Sequence, residues 1–82
     1  MRPRPLSVSR VDLPDFLLIK CQGMLDDIQR ADSPNVALLT EQRAAGFTEA
    51  LEWLQVLPLT QIEQLYELYK RALTGRIAEL GA

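Results

Sequence analysis

Cys21, its neighbour Lys20 and two tyrosines, Tyr66 and Tyr69, are the side chains with the most chemistry to offer, and their spacing gives them little to work with. A cysteine attacks only as a thiolate, which needs exposure and a nearby cation. Lys20 could supply the charge, but Cys21 falls on the apolar stripe of its helix, where a free thiol behaves as a small buried hydrophobe. The chain has no histidine, which removes the commonest general base and every Ser-His or Cys-His nucleophile. A single cysteine makes no intramolecular disulfide and no zinc set. Asp26, Asp27 and Asp32 form an acidic patch without the spacing of a calcium loop. No catalytic, metal or cofactor site is expected.

Lys70, Arg71 and Arg76 are the remaining cluster, and Glu63, Glu67 and Glu79 interleave with them. That reads as a solvated face rather than a recognition helix. The net charge of −2 and pI near 5.0 disfavour general nucleic-acid binding, which rests on phosphate neutralisation. The longest apolar runs, 16–19 and 36–39, are too short to span a bilayer. An unpaired cysteine fits a reducing compartment, and the basic N-terminus lacks the apolar segment of a signal peptide. The expected setting is cytoplasmic, with no membrane insertion.

The elements that carry these residues read as three helices. Residues 1–11, with Arg2, Arg4, Arg10 and two prolines, form an extended or disordered basic arm. Residues 12–82 form one helical domain. Helix one is expected over about 12–30, with Asp12 as N-cap and Pro14 in the first turn. Its stripe is Leu13, Leu17, Cys21, Met24, Ile28 and Ala31, flanked by Leu18 and Leu25. Helix two is expected over about 35–57, after a Ser33-Pro34 or Asn35 cap, with Val36, Leu39, Arg43, Phe47, Ala50, Leu51, Leu54 and Leu57 on one side and Pro58 as its stop. Helix three is expected over about 60–80, opened by a Thr60–Glu63 capping box. Its stripe is Ile62, Tyr66, Tyr69, Leu73, Ile77 and Leu80, widened by Leu65, Leu68 and Ala72.

The apolar surface exceeds what a small bundle needs. Hydrophobic residues make up 48% of 82 positions, in a chain whose lone core is marginal by size. Phe16, Ile19, Leu38, Val56, Leu65 and Leu68 are left over, which predicts a helical homodimer, another protein partner, or both. The expected partner or dimer interface is Trp53, Leu65, Leu68, Tyr69, Ala72 and Arg76, because large aromatics and Arg dominate interface energetics.

Residues 43–73 resemble small helical proteins encoded by temperate phages, which carry R-A-A-G-F-x-x-A-L-x-W-L, a short proline-containing turn and E-x-L-Y-x-x-Y. The matching residues are Arg43, Ala44, Ala45, Gly46, Phe47, Ala50, Leu51, Trp53, Leu54, Glu63 or Gln64, Leu65, Tyr66 and Tyr69. The resemblance covers less than half the chain and lies mostly in helix-packing residues. It implies a dimer that binds and inhibits a host protein, such as a type IV pilus motor ATPase or a quorum-sensing regulator, in the host cytoplasm. It transfers no site residue. The expectation is thus a non-enzymatic protein-interaction module. The alternatives are a small DNA-binding regulator or antitoxin-like repressor, and a structural subunit of a larger assembly.

Overall fold

The computed structural model describes residues 5–81. It is an all-α three-helix domain: α1 (Asp15–Gln29), α2 (Pro34–Trp53) and α3 (Leu59–Gly81). Met1–Arg4 and Ala82 lie outside the described residues, and with them Arg2 and Arg4 of the basic arm.

The helix ends show how local chemistry sets the elements. α1 opens at Asp15, three residues after the expected start. Pro14 sits at φ −56°, ψ 149°, and a residue preceding proline avoids helix, so Asp12 cannot act as cap. The Pro14 carbonyl accepts from the amides of Leu17 (2.9 Å) and Leu18 (3.0 Å). At α2 the choice falls on Ser33, whose hydroxyl accepts from the Val36 amide at 3.2 Å, with Pro34 at the first helical position, where its missing N–H costs nothing.

α2 stops at Trp53 rather than near residue 57. The Val56 amide donates to the Leu51 carbonyl and the Gln55 amide to the Glu52 carbonyl, each at 3.0 Å. That pair of bonds is the Schellman closure, which requires a left-handed residue just past the cap. Gln55 fills the place at φ 55°, a conformation that glycine adopts without steric cost. Gln55→Gly is therefore expected to raise stability by about 0.5–1 kcal/mol, read as a higher urea midpoint at unchanged slope.

α3 begins one residue early. The Pro58 carbonyl takes the amides of Gln61 (3.1 Å) and Ile62 (3.2 Å), so Thr60 lies inside the first turn instead of capping it, and the expected capping box is displaced.

The core draws Leu17, Cys21, Leu25 and Ile28 from α1, Ala37, Ala44, Thr48 and Leu51 from α2, and Ile62, Leu65, Tyr69 and Ala72 from α3. α1 keeps the expected phase. α2 does not: its small residues face inward, while Val36, Leu39 and Leu54 are 46%, 57% and 73% exposed. The helix packs between α1 and α3 on Ala37, Ala44 and Thr48 because side chains this short let two neighbours approach at once. α3 is rotated too. Its inner face centres on the expected flank, Leu65 and Ala72, and Ile77 turns outward.

Over residues 5–11 the arm belongs to the domain, contrary to the expected boundary at 12. Val8 and Val11 are buried in the core and Leu6 packs against it. Two glutamines one heptad apart on α1 hold its backbone. Gln29 Oε1 accepts from the Leu6 amide (2.7 Å) and its Nε2 donates to the Leu6 carbonyl (3.2 Å). Gln22 Oε1 accepts from the Val8 amide (2.9 Å). Strand-like pairing of this kind satisfies the polar groups of an irregular segment as it is drawn into the core.

Candidate protein-binding surface

The six residues expected at an interface separate by environment. Leu65, Tyr69 and Ala72 are core residues of the chain itself. Leu68 is half-buried in the shallow groove that Leu6 and Val11 share with α3. Arg76 is half-buried and structural. Its Nε donates to the Ala31 carbonyl at 2.8 Å, and its Nη1 lies 3.5 Å from Glu79 Oε2. It thereby ties the end of α3 to the α1–α2 turn. Trp53 alone is wide open, at 80% exposure.

Trp53 belongs to a face that large-residue patterning missed. α1 and α2 run antiparallel beside each other. Lys20 Nζ lies 5.6 Å from the Phe47 ring centroid, a cation–π distance. Met24 and Asp27 of α1 share a groove with Val36, Thr40 and Arg43 of α2. One turn beyond Lys20 lies Phe16, and one to two turns beyond Phe47 lie Ala50 and Leu54, at the same end of the pair. Helical geometry at about 100° per residue then puts Leu39, Gly46, Ala50 and Trp53 on the outer side of α2, with Val36 and Leu54 on the flank toward α1. Phe16 lies beside that edge of α1 at 72% exposure, while Ile19, 81% exposed, points outward from α1. At the centre, a Cβ built on Gly46 would meet nothing within 4 Å. A mid-helix glycine costs about 1 kcal/mol against alanine, and packing within the chain gives no reason for it. The signal available in the sequence was the spacing Leu39–Gly46–Trp53, two heptad steps on one face.

The groups with chemical potential are occupied internally. Where the helices meet, the Thr48 hydroxyl donates to the Tyr69 hydroxyl at 3.1 Å. Thr48, Tyr69 and the Cys21 thiol of α1 are fully buried, so this is a closed polar contact joining α2 and α3 inside the core. Burial pushes the Cys21 thiol up, outweighing the Tyr69 hydrogen bond and the Lys20 charge. Burial likewise pushes the Tyr69 phenol well above its ordinary value, against the lowering effect of the Thr48 hydrogen bond. Both groups stay neutral and protonated in the fold, which is the reverse of an activated nucleophile. The acidic patch is also in use: Asp26 accepts from Gln22 Nε2 (2.8 Å) and Asp27 pairs with Arg30 (3.3 Å). Among the described residues, no three His, Cys, Asp or Glu side chains stand together as a metal site, and no helix is long and apolar enough to cross a membrane.

The buried thiol and phenol give a pH signature. Both pKa values are raised on folding, so above the unfolded values of 9.0 and 10.0 the unfolded chain releases protons that the folded one keeps. Stability then falls with rising pH, with a limiting slope of about 1.4 kcal/mol per pH unit for each group. Thermal melts are expected to show no contribution from these groups between pH 6 and 8 and a progressive loss above pH 9. Cys21→Ser should leave the upper part of that loss in place, because Tyr69 produces it.

No known protein family, curated protein or solved structure matches this chain, so the α1–α2 face is defined by its own geometry alone.

Proposed function

We propose that the chain is a non-enzymatic protein-interaction module, whose activity is to cover and be covered by other protein surfaces. The observation that carries this reading is the apolar surface left on α1 and α2: Phe16 and Ile19 of α1, and Leu39, Trp53 and Leu54 along and just past α2, are each more than half exposed in a 9.3 kDa domain. Apolar patches of that extent on small proteins mark binding sites, and an exposed Trp is the commonest anchor of such a site. The internal use of Cys21, Thr48 and Tyr69 supports the same view. The resemblance of residues 43–73 to phage-encoded proteins gives the reading its direction: a modulator that binds and inhibits a host bacterial protein in the cytoplasm.

Affinity capture from bacterial lysate, with the captured protein then purified and titrated, tests this. A stoichiometric complex is expected, and its target's activity should fall on binding. Trp53→Glu at the end of α2 and Ile77→Glu on α3 map the contact, since both residues are exposed and neither change reaches the core. If no purified protein forms a complex and the chain instead turns over a substrate, the reading fails.

A further inference from the structure

The arm is held through a pattern rather than through its own polar side chains. Leu6 is half-buried, Ser7 exposed and Val8 buried, the alternation of a strand. Among the described residues, every hydrogen bond that joins the arm to the helices uses the arm's main chain. The groups are the Leu6 amide and carbonyl and the Val8 amide.

The receiving side is fixed by α1 itself. Gln22 Nε2 donates to Asp26 Oδ1 at 2.8 Å, and Gln29 Nε2 lies 3.4 Å from the Leu25 carbonyl of its own helix. Both amides are thereby oriented with Oε1 free to accept from an incoming backbone. Leu68 of α3 supplies apolar surface beside Leu6 and Val11. α1 and α3 thus offer what the edge of a sheet offers: acceptors placed for the amides of residues i and i+2, and an apolar floor for their side chains. In recognition by strand addition, main-chain bonds give affinity and alternate side chains give specificity. We propose that this α1–α3 groove is a binding site for a short strand of a protein partner, with apolar residues two apart, and that the arm is a built-in occupant which the partner strand displaces.

The tether keeps the arm at high effective concentration over its site. A free strand enters only through the open form, so its apparent affinity is lowered by the open fraction. For a minor state of about 0.1–10%, the closed chain should bind at least tenfold more weakly than one whose arm is released.

The probe is a fluorescein-labelled peptide of residues 5–12, read by anisotropy. It is expected to bind the full-length Val8→Asp chain saturably at one per chain, and the wild type at least tenfold more weakly. N-methylation of the peptide at the Val8 amide removes the donor to Gln22 and should weaken binding at least tenfold. Leu6→Ser in the peptide should do the same, while Ser7→Lys should change affinity less than threefold, because that side chain faces water. No saturable binding to Val8→Asp, equal affinity for the wild type, or indifference to N-methylation overturns the proposal. Val8→Ser loosens the arm without adding charge. If both Val8 variants lose their helicity, the arm is inseparable from the core and the proposal falls. A wild-type dimer that the peptide dissociates would put a second copy's arm in the groove and overturn the assignment to a partner. Trp53 and Leu54 take no part in this groove, so its failure leaves the interaction reading of those residues standing.

Discussion

Tyr69→Ala is expected to lower the unfolding free energy by about 3–5 kcal/mol, the range for deleting a large aromatic side chain from a core. Three effects act together. The ring is fully buried at the meeting point of the helices, so its removal leaves a cavity. The Thr48 hydroxyl loses its acceptor at 3.1 Å, and Cys21 loses its polar neighbour. An unsatisfied buried hydroxyl costs about 1–3 kcal/mol, although Thr48 can turn back onto its own helix and recover part of that. Against a total of about 5–15 kcal/mol for a domain, that is a large share of the stability. Tyr69→Phe separates the terms: it keeps the ring and loses only the hydroxyl, for about 1–2 kcal/mol. Leu54→Ala is the control, since Leu54 is 73% exposed within the chain and its removal should cost the single chain less than about 0.5 kcal/mol. Urea titrations followed by far-UV circular dichroism measure all three. Equal losses for Tyr69→Ala and Leu54→Ala would mean that α2 and α3 are rotated from the positions described.

The contrast between those two residues shows what the sequence made legible. The number, order and approximate extent of the helices follow from apolar periodicity and from punctuation by proline, and Ser33-Pro34 opens α2 as its residue types dictate. Where the periodicity rule failed, it failed for one reason. It assigns large apolar residues to the inside, and α2 carries them nearly all round: Val36, Leu38, Leu39, Phe47, Leu51, Leu54. With no clean amphipathic contrast, the phase is set by something the pattern does not weigh, namely how closely α1 and α3 can approach. Ala37, Ala44 and Thr48 allow the closest approach, so they face inward. Leu54 then turns out and joins Phe16, Ile19, Leu38 and Val56 among the exposed large apolar residues, while Leu65 of α3 goes into the core. The end of α2 was hidden similarly. A left-handed Gln55 is no breaker by composition, and Pro58 drew attention three residues too late.

Two of the interface residues chosen from α3, Leu65 and Ala72, illustrate the same error from the other side. Both looked superfluous because Ile62, Tyr66, Tyr69, Leu73, Ile77 and Leu80 already made a stripe. In the fold they lie at its centre, and Ile77 is the residue left in water. Of the expected set only Trp53 is widely exposed, at 80%, and residue type rather than helical phase singles it out.

The arm was the least legible segment, because its attachment depends on two polar side chains that read as a wet face. Gln22 and Gln29 are unremarkable on a helical wheel, yet each is an amide able to donate and accept at once, as a neighbouring strand would. They let Leu6 and Val8 be drawn in without orphaned backbone groups. Val8→Asp tests that account and should have a large effect with a built-in ceiling. A carboxylate placed at a position 1% exposed, whose backbone amide is held by the neutral Gln22 side chain, would cost several kcal/mol to bury. The arm has an alternative, which is to detach. The loss should therefore equal the arm's own docking free energy, about 2–4 kcal/mol by the burial of Leu6, Val8 and Val11, while α1, α2 and α3 keep their helicity. Hydrogen exchange should show the amides of Leu6 and Val8 losing protection far more than those of α3. Limited proteolysis should cut beside Arg10 in the variant before the wild type. Unchanged protection at Leu6 would mean that the glutamine clamps hold the arm without the valine. A collapse of all three helices together would mean that the arm is part of one cooperative unit, with no docking step of its own.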